Sequence, residues 1–297
     1  MDKSQPLPSG DVPTEPPPTY TAATQAQQPQ PPPQRRGPPP LARLELPILT
    51  YMRTHRVILA SASPRRRALL AQVGLSNLEV IPSTKPENLP KDELGAFEYV
   101  AATAQQKALD VYQSAIEKAE EEAVGGGDGE TDDNGASTSN KSRKDPDLVI
   151  AADTVIVTRD GAILEKPSSE EAHKRMLRHL RDTRTHRVLT AVCCVAPKPD
   201  ASFPGYTIAA HIEETKVTFA KEADGLPDDV IDAYVRTREG VDKAGGYAVQ
   251  GIGGMMLVEK VDGSVDNVVG LPVRQCLRLC EKVVFKQGEE DSEVEDE

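Results

Sequence analysis

No apolar run in the 297 residues approaches the ~20 needed to cross a bilayer, and no charged-then-apolar leader opens the chain. A soluble, cytoplasmic protein is expected. Its four cysteines, Cys193, Cys194, Cys276 and Cys280, show no zinc-type spacing with the five histidines. Adjacent Cys193 and Cys194, inside an apolar strand pattern, read as reduced core residues. The net charge of −12 is also missing from the part that should fold: residues 289–297 carry −7, residues 117–147 carry −6 and residues 1–44 carry +1. Acidity is therefore confined to segments outside the core, and neither nucleic acid nor a membrane surface is expected as a partner.

Large apolar side chains are almost absent from residues 1–44, which hold 13 of the 25 prolines. A disordered tail with polyproline II character is expected over residues 1–54, followed by one domain over 55–287 and an acidic tail over 288–297. Within the first tail, Pro17-Pro18-Thr19-Tyr20 fits the PPxY pattern that docks on WW domains. Residues 117–147 combine three consecutive glycines with an Asp/Glu/Ser/Thr run and read as a disordered insertion.

What remains is organised around RVILASASPRRRALLAQVG, Arg56 to Gly74. A buried strand, Val57 to Ala60, runs into a small polar turn. Ser63 is the expected N-cap, Pro64 occupies the first helical position and Gly74 ends the helix. Arg65, Arg66 and Arg67 oppose the dipole at that helix start, so the pattern asks for an anion, with polyphosphate the natural ligand.

Further on, LVIAADTVIV from Leu148 is apolar apart from Asp153 and Thr154, and Arg159-Asp160-Gly161 turns it into a hairpin ending at Lys166. Ser168-x-x-Glu171 reads as a capping box for a helix burying Ala172, Met176, Leu177 and Leu180. Strands are expected over 187–195, 211–220 and 255–261, with helices over 97–115, 226–236 and 272–285. The mixture points to α/β with a mixed sheet. Gly251 to Gly254 lacks the context of a phosphate-binding loop and reads as a turn.

Asp153 carries the strongest chemical signal, because a carboxylate in an apolar strand needs a cation, either a metal ion or a basic side chain such as Lys166. With Glu87 in the loop Ser83 to Asp92 it would suit a divalent metal held by oxygen. Gln250, ahead of the glycines, offers an amide able to read a base edge.

In order, ILASASPRRRALL, AADTVIV, EKP, RTHRVLTAV, DKAGGYAVQGIGG and DNVVGLPV make the chain resemble the Maf family of nucleoside triphosphate pyrophosphatases over about residues 55–116 and 148–286. The resemblance implies a two-lobed α/β fold around a long mixed β-sheet with a central cleft, similar to inosine triphosphatase. It implies cleavage of the α–β phosphoanhydride with a divalent metal, Mg2+ or Mn2+, and leaves a homodimer open. Carried onto this chain, it makes Asp153, Glu87 and Lys166 catalytic, with Asp153 and Glu87 at the metal. Ser61, Arg65, Arg66 and Lys107 would hold phosphates. Arg66, Thr154 and Gln250 resemble the branch acting on dTTP and UTP, which implies removal of unwanted nucleotides from the pool. The Arg181-Asp182 pair departs from the family's Ser-Gly and is expected in a turn. Two other readings compete: a 7-methyl-GTP pyrophosphatase of the same fold, and a non-catalytic protein recruiting WW-domain partners.

Overall fold

The computed structural model describes residues 43–86, 89–90, 93–125, 144–200 and 202–287. Glu87, the Pro17 to Tyr20 motif and the acidic tail lie outside them.

In chain order the elements are α1 (Pro47–Thr54), β1 (Val57–Leu59), α2 (Pro64–Gln72), β2 (Glu79–Val80), α3 (Ala96–Gly125), β3 (Leu148–Val157) and β4 (Ile163–Leu164). Then follow α4 (Glu170–Thr183), β5 (Thr185–Pro197), β6 (Tyr206–Phe219), α5 (Asp228–Arg236), α6 (Ile252–Met256), β7 (Val258–Asp262), α7 (Val265–Val269) and α8 (Val273–Phe285). The strands form one mixed sheet in the order β2-β1-β3-β5-β6-β7, with β4 also on β3.

β3 sets the architecture. One of its edges pairs antiparallel with β5 from Val149↔Val195 to Val157↔Arg187. The opposite edge is shared: β1 runs parallel to Leu148, Val149 and Ile150, while β4 pairs antiparallel with Ile156 and Val157. Among the described residues no strand pairs with 151–155 on that edge. The sheet forks there, and the fork is the cleft.

Period-two alternation sends neighbouring side chains of β3 to opposite layers. Val149, Ala151, Val155 and Val157 pack with the Tyr99, Val100, Ala104, Ala108 and Val111 face of α3. Leu148, Ile150 and Ala152 pack with α1, α2 and α8. Beyond them on the same face, Ile156 joins α4, α5 and Tyr247 in a third cluster. The buried polar residues Thr190 and Asn267, with half-buried Thr154, separate these last two clusters, which gives the expected two lobes on one sheet.

Several boundaries differ from expectation. The folded part begins before residue 55, because α1 buries Ile48, Leu49 and Met52 in the core. The insertion is shorter than 117–147: α3 continues to Gly125 on an Ala/Glu-rich run of high helix propensity, with Ala119 buried. At its other end Asp147 Oδ2 accepts the Arg56 N–H at 2.8 Å. Ser169, not Ser168, caps α4 by accepting the Ala172 N–H; Leu177 and Leu180 are buried as expected, while His173 and Arg181 take the places expected for Ala172 and Met176. Arg181 lies in the last turn of α4 rather than in a loop, where its guanidinium meets Asp228 at 2.6 Å and ties α4 to α5. Residues 252–256 form α6 before β7 starts at Val258. Val273 and Val284 sit at the margin of α8, whose buried face is Cys276, Leu277, Leu279, Cys280 and Val283. Among the described residues no helix is long and apolar enough to cross a membrane.

Candidate active site

The fork opens into a cleft of about 570 Å³ lined from four directions. Ala60 to Arg66 bring the end of β1 and the first turn of α2. Asp153 and Thr154 come from β3, Glu165 and Lys166 from the segment after β4, and Asp242 to Gln250 from the glycine-rich loop.

Asp153 and Thr154 are adjacent and so leave β3 on opposite faces. Asp153 turns towards α3, where Lys107 Nζ donates to its Oδ1 at 2.8 Å; both side chains are about nine-tenths buried. Lys107, not Lys166, is thus the cation that makes the buried carboxylate tolerable. Oδ2 has no protein hydrogen bond among the described residues.

Thr154 turns to the other face and meets Arg66. The Arg66 guanidinium is held in three directions: Nε donates to Gly270 O at 2.7 Å, Nη1 to Ser61 Oγ at 3.0 Å and Nη2 to Thr154 Oγ1 at 3.1 Å. Behind this clamp, Thr154 Oγ1 and Thr190 Oγ1 lie 3.0 Å apart, and Thr190 donates to Asn267 O at 3.0 Å. Asn267, fully buried, donates through Nδ2 to Val188 O, Glu213 O and Thr215 Oγ1. The Thr154 hydroxyl therefore orients Arg66. Arg65 reaches Asp242 Oδ2 at 3.6 Å across the cleft mouth, and burial lowers its pKa, opposed by that carboxylate. Arg67 is exposed outside the cleft lining.

The loop that leads towards Glu87 is anchored by Asp110 on α3. Its Oδ2 accepts from Ser83 Oγ at 2.7 Å and Thr84 N at 3.0 Å, with Lys85 Nζ 3.8 Å from Oδ1. Burial pushes the Asp110 carboxyl up, but the bonds from Ser83, Thr84 and Lys85 outweigh it and hold the group below its ordinary value.

The glycine-rich loop owes its course to close packing. At Gly246, with φ at 75°, a Cβ would lie 2.6 Å from His173 Cδ2. Below it, Tyr247 hydrogen-bonds His186 Nε2 at 2.8 Å, and burial pushes that imidazole down to about 3, so it stays neutral. Glu239 accepts from the Ile252 and Gly253 N–H groups at 2.9 and 2.8 Å, filling the start of α6 with a carboxylate and leaving it no role in holding phosphate. Gln250 precedes this turn, exposed at the cleft wall.

The Maf-like protein family model matches residues 56–283, covering the sheet, the cleft and every side chain named above within those limits. The chain belongs to the Maf family. A dTTP/UTP pyrophosphatase of Schizosaccharomyces pombe is 39% identical over 251 residues, 84% of this chain and 92% of that protein. A dTTP/UTP pyrophosphatase of Anaeromyxobacter dehalogenans is 41% identical over 230 residues, 77% of this chain and 95% of its own length. One from Pyrococcus furiosus is 35% identical over 227 residues, 76% and 94% of the two chains. A solved nucleoside-triphosphatase, the dITP/XTP pyrophosphatase of Mycobacterium abscessus, superposes with a TM-score of 0.29 at 13% identity over 56% of this chain and 74% of its own.

As a Maf protein the chain brings Ser61, Arg65, Arg66, Lys107, Asp153, Thr154, Lys166 and Gln250 to one cleft or its wall. Sequence reasoning assigned no role to Glu165, which accepts from Tyr99 Oη at 3.2 Å, or to Asp242, Asp110, Thr190 and Asn267. The EKP and DNVVG motifs contained Glu165 and Asn267, but their partners are 66 and 77 residues away in sequence.

A divalent cation fits this donor set. Asp153 offers Oδ2, and Mg2+ commonly takes one or two carboxylates together with substrate phosphates rather than a closed protein cage.

Proposed function

We propose that this Maf protein is a metal-dependent pyrophosphatase that converts dTTP and UTP to the monophosphate and pyrophosphate, keeping unwanted nucleotides out of nucleic acid. The observation that carries the reading is the buried Asp153–Lys107 pair, 2.8 Å apart at the fork of the sheet and flanked by Arg65, Arg66 and Lys166. A buried carboxylate in a cleft that also carries three cations in its lining matches a triphosphate that must be bound and then attacked. The relatives named dTTP/UTP pyrophosphatase supply the substrate class.

In this reading the triphosphate enters with its oxygens towards Arg65, Arg66 and Lys166, which offset its charge. Arg66 acts from a fixed position because Gly270, Ser61 and Thr154 already hold it, so little ordering is lost on binding. Lys107 holds Asp153 in place through its 2.8 Å bond to Oδ1. Asp153 accepts the proton of the attacking water through Oδ2, the bond to the bridging oxygen breaks, and pyrophosphate leaves. Asp153 and Glu87 would hold the divalent cation, which would neutralise charge developing on the phosphates. Gln250 reads the pyrimidine edge, whose carbonyl acceptors and N3–H match an amide that both donates and accepts.

The test is product analysis. The purified chain with dTTP and Mg2+ should release pyrophosphate and dTMP in equal amounts and stop on chelation with EDTA. Orthophosphate as the first product would refute the α–β cleavage, and full activity in EDTA would refute the metal.

A further inference from the structure

Gln250 stands midway along residues 248–253, on a turn with no strand or helix of its own before α6 begins at Ile252. Both ends of that turn are held from α5 and the segment that follows it. Tyr234, buried in the third cluster, accepts the Ala248 N–H on its Oη at 3.3 Å. Glu239, just beyond the end of α5, accepts the Ile252 N–H on Oε1 at 2.9 Å and the Gly253 N–H on Oε2 at 2.8 Å. The Tyr234 hydroxyl also donates to the Glu239 carboxylate, so the two anchors are joined. The fit leaves no slack: a Cβ on Gly251 would lie 1.9 Å from Glu239 Oε1, and one on Gly253 would lie 2.8 Å from Tyr234 Oη. Neither Tyr234 nor Glu239 lines the cleft.

We propose that Glu239 and Tyr234 are specificity-determining positioning residues: by fixing both ends of the turn they set where the Gln250 amide meets the base, and so how far uracil and thymine are preferred to cytosine. The inference rests on Gln250 reading the pyrimidine edge. Discrimination between these bases depends on which buried hydrogen-bonding groups are left unpaired, and that requires an amide held in one place. A displacement of about 1 Å can cost roughly 10²-fold. A carboxylate suits the anchor because it accepts on both oxygens. Glutamine in its place would present an NH2 to one of the two backbone N–H groups, donor against donor, and release that end of the turn.

The test is the ratio of kcat/KM for UTP to that for CTP, because damage to the fold or to phosphate binding lowers both alike and leaves the ratio unchanged. Glu239→Gln should lower it at least about tenfold. Tyr234→Phe, which removes the bond to Ala248 and the one to Glu239, should lower it about threefold. Glu239→Gln combined with Gln250→Ala should lower it no further than Gln250→Ala alone, since the anchors act through that amide. A wild-type enzyme with no preference for UTP over CTP would overturn the base reading and this inference with it. A wild-type preference that Glu239→Gln retains, or losses that add in the double variant, would overturn the positioning role and leave the base reading standing. If Glu239→Gln does not fold, Tyr234→Phe decides: an unchanged ratio overturns the role and a lowered one supports it.

Discussion

Replacing Lys107 by Met keeps the length of the stem that runs between α3 and β3 but removes the ammonium. Asp153 is then left in a site where its side chain is 10% exposed and the lost partner was 12% exposed. Breaking a buried pair by removing one member costs about 3–5 kcal/mol, and the residual access to water puts this case near 3 kcal/mol. For a domain of this size that corresponds to a melting point lower by about 6–12 °C. Adding Asp153→Asn removes the stranded charge and should recover most of the stability although neither variant is active. Urea unfolding of wild type, both single variants and the double variant at pH 7 gives the coupling energy. A deficit below about 1 kcal/mol, or one that persists in the double variant, would refute the pairing as the reason the carboxylate is tolerated.

Thr190→Val keeps the side-chain shape but cuts the chain from Asn267 to Thr154, and should lower kcat/KM for dTTP about tenfold through a looser Arg66 with the fold intact by circular dichroism. Ser169→Ala should cost about 1 kcal/mol in urea unfolding while Ser168→Ala costs almost nothing, since only Ser169 accepts the Ala172 N–H. Asp110→Asn should destabilise most at neutral pH: a carboxyl held below its ordinary pKa stabilises above the unfolded value and loses that contribution as pH falls through the folded one, so unfolding curves of variant and wild type should converge in acid.

The parts of the site carried by local pattern were legible in the sequence. Asp153 stood out because it interrupts nine otherwise apolar or small positions of β3, and α2 because Pro64 and Gly74 mark both its ends. Partners that depend on tertiary placement were not legible. Lys107 and Lys166 both lie within reach of β3 on paper, and only the position of α3 on the odd-numbered face of that strand decides for Lys107. The reading of three arginines as a bare anion cradle missed that Gly270, 204 residues downstream, holds one of them. Composition also misled at the edges. Glu-rich 117–122 looks disordered by charge, yet it extends α3 with Ala119 as its one buried position, and α1 was hidden behind a proline that in fact starts it. Cys194 and Cys280, 86 residues apart, bring their sulfurs to 3.6 Å in the core with no spacing motif to announce it.

Which nucleotide is cleaved tests the central claim most directly. Steady-state kcat/KM should be measured for dTTP, UTP, CTP, ATP, GTP and 7-methyl-GTP under one set of conditions, with Asp153→Asn as the control for the site. Thymine and uracil differ by one methyl, so dTTP and UTP should lie within about 10–200-fold of each other. CTP reverses the donor pattern that Gln250 meets and should trail both, as should the purines, and Asp153→Asn should lose at least about 100-fold on every substrate. A higher kcat/KM for 7-methyl-GTP or any purine triphosphate, or an Asp153→Asn variant keeping more than about a tenth of wild-type kcat, would contradict the assignment.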